Sequence, residues 1–405
     1  MKYLKYISPA ILLFFMSCTK GYLDVNTDPN NPTEMAEAKL LPNAQKALAD
    51  YLGFGAGGAS GFSYVLSVYT HQITMREYPD KYGTEGVNLN TAWTAIYTDA
   101  IRNCEEIIKN AEEPGNTLYS GIAKILKAYA YSQLVDVFGD IPFSESNDYQ
   151  GGAGFGAPAF DQGKDIYPQL FALLDEGIAD LNNTTAANPN KPGSDDLIYG
   201  GKAASWINAA NTIKLKLYNQ ARLVQDVSGP VNELLSGGKL IGSTAASFAF
   251  PYGTASSPDE RSPFFADYFA TQRSINISPW FYEIMKGYNM KDVNGMTKDF
   301  NVFSGIKDPR VPYYFFNQLE PDEENVEGNQ IEYRDGGFSS IVFGSTGPNR
   351  DKSHDKSTTV MGIYPAGGRY DDGEGSGGKG VTAGSGTGAA PFRMLTYADR
   401  LFIEA

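Results

Sequence analysis

Histidine and cysteine are scarce in this chain of 405 residues, which contains two of each. With only His71 and His354, a His-rich zinc site is nearly excluded, and few general bases remain for a serine or cysteine nucleophile. Cys104 lies on the apolar face of a predicted helix, which is typical of a buried, unreactive thiol.

Positive charge is also limited, because 33 lysines and arginines face 47 aspartates and glutamates, giving a formal net charge of −14. Such a surface repels phosphate backbones, and no basic stripe is present, so we do not expect nucleic-acid binding. Aromatic residues, in contrast, make up 13% of the chain, with 26 tyrosines and 23 phenylalanines. Tyrosine combines a flat apolar face with a polar tip, which suits recognition surfaces as well as core edges.

Long hydrophobic runs are absent after residue 18, and the one short run, Ile7 to Met16, lies at the start of the chain. It follows two lysines and precedes Ser17 and Cys18, a pattern typical of a bacterial lipoprotein signal. A plain secretory signal and a transmembrane anchor are the alternatives, although a spanning helix needs roughly 20 apolar residues. We predict a signal peptide over residues 1–17, lipidation of Cys18, and a polar tether over residues 18–33.

Helical periodicity runs through residues 34–228. Two clear apolar stripes, Trp93–Ile108 and Leu118–Val137, flank a break at Glu112–Gly115, which predicts an antiparallel pair of helices. The fold class expected from such pairs is mainly α, with helix hairpins stacked as an α–α superhelix. No clean 34-residue repeat identifies tetratricopeptide units by period alone. The remaining predicted helices cover Glu34–Tyr51, Phe62–Met75, Ile166–Leu181 and Ala203–Val224.

The character of the chain changes after Gly229, where proline, glycine, serine, aspartate and aromatics dominate. Only Trp280–Lys286 and a few strands are expected to be ordered, and Gly367–Gly388 is predicted to be a glycine-rich loop. We therefore expect an irregular, loop-rich ligand-binding subdomain over residues 229–393. Residues 394–405 predict the start of an amphipathic helix that is truncated, because neither a cap nor a glycine follows it.

Several motifs together resemble a known family. In chain order, they are Tyr22–Asn30 after Cys18; Trp93, Tyr97 and Asn103; Leu134–Ser144; Asp195–Gly201 with Trp206 and Asn211–Lys216; Asp308–Arg310; and Leu395–Asp399. With these motifs in this order, the chain resembles the SusD/RagB family of Bacteroidota outer-membrane lipoproteins, in its SusD-like branch.

The resemblance implies four tetratricopeptide-like helix hairpins as a scaffold and an irregular subdomain that shapes the ligand site. It implies a lipid-anchored protein of the outer membrane, at the cell surface, that binds oligosaccharides or peptides and delivers them to a SusC-like TonB-dependent transporter. No catalysis and no cofactor are implied. Two alternatives remain: a lipid-anchored glycan hydrolase, and a structural lid of the transporter without ligand affinity of its own.

Sugar recognition requires flat aromatic faces with hydrogen-bonding side chains beside them, on loops. The segments Arg76–Tyr82 and Gln272–Tyr282 have this mixture. We expect Tyr78, Tyr82 and Trp280 to stack on the ligand, and Arg76 and Arg273 to contact its hydroxyl groups. Packing in the core or at an interface is the alternative for the aromatic residues of both segments.

Other candidate sites are weaker. Trp93 and Trp206 lie on helix stripes and are expected in the core. The segment Asp371–Glu374 lacks the alternating oxygen ligands of an EF-hand, which favours a solvated loop over a calcium site. No pair among the 47 acidic residues stands out as the two carboxylates of a glycosidase. We predict no catalytic residue and no metal ligand.

Overall fold

A computed structural model of the 405-residue chain describes most of its length. Helices form the majority of the ordered elements, and the strands are short, as the sequence predicted. The described residues are 35–56, 60–75, 87–146, 157–270, 275–288, 290–291, 297–298, 301–324, 332–343, 357–371 and 386–405.

The N-terminal half is built from long helices with one short strand between them. Its elements are α1 (Glu37–Leu52), α2 (Phe62–Tyr69), β1 (Ile73–Met75), α3 (Val87–Ala95), a π-helical turn (Ile96–Ile101), α4 (Arg102–Glu112), α5 (Thr117–Phe138), α6 (Gly163–Asn182), α7 (Ala203–Ala221) and α8 (Ser228–Gly237).

The C-terminal half alternates short strands with short helices. Its elements are a 3₁₀ turn (Thr244–Ala246), β2 (Phe248–Phe250), α9 (Pro263–Ala270), β3 (Ile275–Ile277), α10 (Pro279–Lys286), β4 (Met290–Lys291), β5 (Thr297–Lys298), α11 (Val311–Tyr314), β6 (Phe315–Phe316), β7 (Tyr333–Asp335), β8 (Phe338–Ser340), β9 (Val360–Met361), α12 (Ile363–Ala366), β10 (Phe392–Leu395) and α13 (Tyr397–Glu404).

The predicted hairpin of two helices is present as α4 and α5, and α6 and α7 continue the stack. Helices α5 and α6 meet with their backbones almost in contact. A Cβ atom on Gly121 of α5 would lie 2.8 Å from the carbonyl oxygen of Gly177 on α6, and one on Gly177 would lie 3.0 Å from that of Gly121. Glycine at both positions therefore permits this close crossing.

Two hydrophobic cores form. The first lies among the helices and includes Trp206, Ile101 and Leu134, none of which is exposed. Strands β2 and β10 close over this core, pairing antiparallel with Phe392 opposite Phe250, and the Tyr129 hydroxyl of α5 donates to the Met394 carbonyl oxygen at 2.9 Å. The second core joins α2 and β1 to α10 and the C-terminal strands.

A buried carboxylate connects the helices to the loop between α6 and α7. Asp196 is 2% exposed, and its Oδ2 accepts hydrogen bonds from Trp206 Nε1 at 2.7 Å and from the Gly201 amide at 2.8 Å. Its Oδ1 accepts from Gln45 Nε2 of α1 at 2.7 Å. This part of the Asp195–Gly201 motif is therefore structural.

Three sequence predictions about elements were wrong. Phe62–Met75 is not one helix: α2 ends at Tyr69, and Ile73–Met75 form strand β1, which pairs antiparallel with Ile275–Ile277 of β3. Helices α8 and α9 form in the region expected to be irregular, since helices of 8–10 residues leave little periodicity to read. The last helix begins at Tyr397, because Met394 belongs to β10.

The division of the chain at residues 34, 229 and 394 stays a prediction. In the part of the chain that the structure describes, no helix is both long and apolar enough to cross a bilayer.

Candidate functional site

The structure describes one of the five predicted ligand-contacting residues, Trp280. The other four, Arg76, Tyr78, Tyr82 and Arg273, lie outside the described residues, and so does the lipidation site predicted at Cys18.

Trp280 is presented to solvent at the start of α10. Pro279 occupies the first turn of the helix, and the Ser278 hydroxyl caps it by accepting from the Trp280 amide at 3.3 Å. These features fix the start of the helix, because proline is preorganised there and serine satisfies a backbone donor. Trp280 is 43% exposed, so part of its ring is open to a ligand.

Two further aromatic rings, both half-buried, lie next to Trp280. His71 and Trp280 form a T-shaped pair with centroids 5.2 Å apart at an interplanar angle of 87°, and His71 stacks on Phe343 at 4.0 Å and 24°. The pairing of β1 with β3 brings His71 and Trp280 together, since each residue lies a few positions outside one end of this ladder. We call Trp280, His71 and Phe343 the aromatic platform.

The backbone of His71 is held in the left-handed region, with φ at 56°. A residue other than glycine adopts this conformation at a cost, and it persists only where surrounding contacts impose it. Here the His71 amide donates to the Val68 carbonyl oxygen at 3.0 Å, and the Ser278 amide donates to that of Gln72 at 3.1 Å. The platform therefore stands on a fixed frame.

The three consecutive aromatics after Pro279 have different environments. Tyr282 is buried, stacks on Phe338 at 3.7 Å, and donates its hydroxyl to Asp335 Oδ2 at 2.7 Å. Burial, together with the hydrogen bond to Asp335, raises the pKa of Tyr282 far above its ordinary value. Core packing, the alternative considered from the sequence, applies to Tyr282, whereas Trp280 faces solvent.

A cavity of about 220 Å³ lies beside the platform, between the helical scaffold and the C-terminal elements. Its walls are mainly aromatic and aliphatic, and none of the described residues that line it carries a charged side chain. Phe281 and Gln72 line it, and each is adjacent in sequence to a platform residue. The other principal wall residues are Phe54, Tyr64, Ser67, Tyr252, Phe264, Tyr314, Phe315, Met361, Ala390 and Phe392.

Comparison with known proteins identifies the family. Residues 29–405 match the family model SusD-like_2, described as starch-binding associating with outer membrane. The chain belongs to this SusD-like family. It is thus a member of a group of outer-membrane-associated, carbohydrate-binding proteins, and no curated protein matches it.

Solved structures share the fold of this SusD-like protein at low identity. A SusD/RagB family protein from Bacteroides thetaiotaomicron is 19% identical with a TM-score of 0.60, and the match covers 92% of this chain and 67% of that one. A chitin-binding SusD homolog from Flavobacterium johnsoniae is 17% identical with a TM-score of 0.59, covering 90% of this chain and 64% of that one. The predicted fold class, a mainly α superhelix of helix hairpins, is confirmed.

Two platform residues were missed from the sequence. His71 was noted only for the rarity of histidine, and Phe343 lies more than 60 residues from Trp280 in a region without readable periodicity. The positive φ of His71 could not be predicted, because histidine is enriched in that conformation but still adopts it only rarely. Only the pairing of β1 with β3 brings these rings together.

Two other groups considered from the sequence, Cys104 and Asp371, are buried. Cys104 is 2% exposed as predicted, and burial raises the pKa of its thiol to about 12, so a thiolate is not available at neutral pH. Asp371 is not solvated as expected: it is buried, and its Oδ2 accepts from the Asn317 amide at 2.7 Å. Among the described residues, no group of three or more His, Cys, Asp or Glu side chains is placed to hold a metal ion.

Proposed function

We propose that this SusD-like protein is a cell-surface lipoprotein that captures oligosaccharides on the aromatic platform and delivers them to a SusC-like TonB-dependent transporter. Family membership supports carbohydrate binding at the outer membrane, and one structure with the same fold is that of a chitin-binding protein. The observation that carries the proposal is the exposed ring of Trp280 on a rigid frame, beside His71 and Phe343.

The chemistry of the platform suits a sugar ring. The C–H face of a pyranose is apolar and packs against an indole face, while its hydroxyl groups need donors and acceptors around the rim. In the proposal, Tyr78 and Tyr82 add stacking surface, and Arg76 and Arg273 reach the hydroxyls. With 43% of its side chain exposed, Trp280 offers roughly 100 Å² to a ligand.

The expected contribution of Trp280 follows from that area. At about 25 cal/mol per Å², covering roughly 80 Å² of the ring stabilises the complex by about 2 kcal/mol. This corresponds to about 30-fold in affinity. We therefore expect Trp280→Ala to weaken glycan binding by roughly that factor.

The test is a panel of soluble glycans, including starch and chitin oligosaccharides, measured by affinity electrophoresis and calorimetry. Leu223→Ala is the matched control, because Leu223 is an apolar residue that is 85% exposed, lies after α7 and is not one of the platform residues. Circular dichroism checks that both variants are folded. Equal affinity of Trp280→Ala and the wild type for every retained glycan would contradict the role of Trp280.

The same panel separates the two alternative functions. Retention of a glycan without shorter products supports binding, whereas turnover of labelled oligosaccharides supports a lipid-anchored glycan hydrolase. Co-purification with a barrel protein, together with no retained glycan, supports a structural lid of the transporter.

The membrane anchor has its own experiment. Acylation of Cys18 predicts incorporation of labelled fatty acid into the wild type and none into Cys18→Ser, with release of the variant from the membrane fraction. Membrane association that is unchanged in Cys18→Ser would contradict lipid anchoring. Protease accessibility on intact cells tests exposure at the cell surface.

A further inference from the structure

The cavity beside the platform is built from ring faces contributed by both halves of the chain. Phe54, which follows α1, packs on Phe264 of α9 with centroids 4.6 Å apart, and on Tyr64 of α2 at 5.3 Å and 79°. On the opposite side, Phe281 meets Phe315 at 5.6 Å. These contacts hold the walls in place around an open centre.

The cavity is large enough for an aromatic ligand. An apolar cavity of about 150 Å³ in another protein binds benzene, and the volume here is about 220 Å³. One or two fused rings therefore fit. A ligand of matching shape makes dispersion contacts with the apolar wall atoms and removes their surface from water.

Two of the polar groups in the wall are already satisfied within the protein. The Ser63 hydroxyl donates to the Leu52 carbonyl oxygen at 2.7 Å, and the Tyr252 hydroxyl donates to Asp50 Oδ1 at 2.6 Å. Neither hydroxyl hydrogen is therefore available to a ligand, and a buried sugar hydroxyl left without a partner costs about 1–3 kcal/mol. Aromatic walls and the thioether of Met361 instead favour a planar ring.

Two short segments connect the cavity to the platform. His71 lies in the platform and the adjacent Gln72 lines the cavity; Trp280 lies in the platform and the adjacent Phe281 lines the cavity. The cavity and the platform are therefore built on the same two segments of the chain.

We propose that this cavity binds a planar aromatic group of one or two rings, and that the ligand of this protein is a glycan carrying such an aryl substituent. The second part of the proposal rests on the proposed function, whereas the first part stands on the cavity alone.

Indole is the probe for the cavity. The variant that fills the cavity is Ser67→Leu, because Ser67 lines it from helix α2. Leucine is a good helix former and is therefore tolerated at this position. Ser236→Leu is the matched control, since Ser236 is an exposed residue of helix α8. We expect saturable indole binding by the wild type and by Ser236→Leu in calorimetry, and a loss of at least tenfold in Ser67→Leu. Ala390→Leu, at a second lining position, is expected to reproduce this loss and replaces Ser67→Leu if that variant does not fold.

Absence of saturable indole binding to the wild type, or equal binding by the folded filled variant, would overturn the cavity proposal. The aryl-glycan part is tested with the 4-nitrophenyl and methyl glycosides of the sugar retained in the glycan panel. We expect the 4-nitrophenyl glycoside to bind the wild type at least tenfold more tightly, and both to bind Ser67→Leu equally. Equal affinity of the two glycosides for the wild type would overturn this part.

The two proposals fail separately. Trp280→Ala is expected to lose glycan binding and to keep indole binding, because Trp280 does not line the cavity. Indole binding without any retained glycan would contradict the proposed function and support the cavity. Glycan binding without any indole binding would support the proposed function and contradict the cavity proposal.

Discussion

Replacing Asp196 by alanine is expected to destabilise the helical scaffold more than any exposed substitution. The carboxylate is 2% exposed and accepts five hydrogen bonds, from the side chains of Gln45 and Trp206 and from the amides of Ile198, Tyr199 and Gly201. Gln45 and Trp206 belong to α1 and α7, so one side chain connects two helices that are about 160 residues apart in sequence.

The magnitude follows from the donors that remain after the change. The side chains of Gln45 and Trp206 are 0% exposed, so water does not reach them easily when the acceptor is removed. A buried donor without a partner costs about 1–3 kcal/mol, and the two side chains together with the Gly201 amide give a loss of about 4 kcal/mol. This is a large part of a typical free energy of unfolding of about 5–15 kcal/mol. Asp196→Asn keeps one acceptor oxygen and is expected to lose about half as much.

Urea unfolding followed by tryptophan fluorescence measures the effect, with the free energy taken from the shift in midpoint. Asp322→Ala is the control, because Asp322 is exposed and the chemical change is the same; it is expected to stay within about 0.5 kcal/mol of the wild type. If the free energies of unfolding of Asp196→Ala and Asp322→Ala differ by less than about 1 kcal/mol, the hydrogen bonds of Asp196 do not contribute the stability expected of them.

Three further predictions concern other parts of the scaffold. Gly121→Ala is expected to destabilise the protein in urea, because its Cβ would meet α6, whereas Gly237→Ala at an open helical position is expected to stabilise it by up to about 1 kcal/mol; equal effects would refute the close crossing. The pKa of Asp161 is lowered, first by the Ser144 amide that donates to it, so its contribution is present above the unfolded pKa of about 3.9 and is lost as the pH falls through the folded value. Asp161→Asn should therefore lose less free energy of unfolding between pH 5 and pH 2 than the wild type does, and an identical slope would contradict this. Finally, Cys104 should react with a thiol reagent only when the protein unfolds; rapid labelling of the folded protein would show that it is not enclosed.

The helical scaffold was predictable because its pattern is local. Residues such as Ile101, Cys104 and Leu134 recur at helical spacing and are all buried, so the stripe seen in the sequence is the face that packs. The segment Phe62–Met75 has a similar composition, but its last residues pair with Ile275–Ile277, and a partner 200 residues away leaves no periodic sign. Tertiary pairing overrode the local preference there.

The candidate site was predictable only in part. Hydrogen-bonding residues beside three consecutive aromatics singled out Trp280, which the structure places at an exposed helix start, and its contact with a ligand stays a prediction. The sequence did not distinguish exposed Trp280 from buried Tyr282, since their environments depend on Phe338, which is distant in sequence and packs on Tyr282 only. His71 and Phe343 join the site through the same kind of long-range contact.

The pairing of β2 with β10 has a consequence for how such a protein diversifies. Phe250 and Phe392 are neighbours in this ladder, so the chain leaves the scaffold and returns to it at points about one strand spacing apart. Residues 251–391 therefore form an insertion between two adjacent strands, and a segment whose ends lie close together is replaced more easily than one whose ends are far apart. A different insertion would have to fit the face offered by α2 and β1, and also α1, where Tyr252 donates to Asp50 Oδ1. Ligand preference can then change in this insertion while most of the helical core keeps its residues.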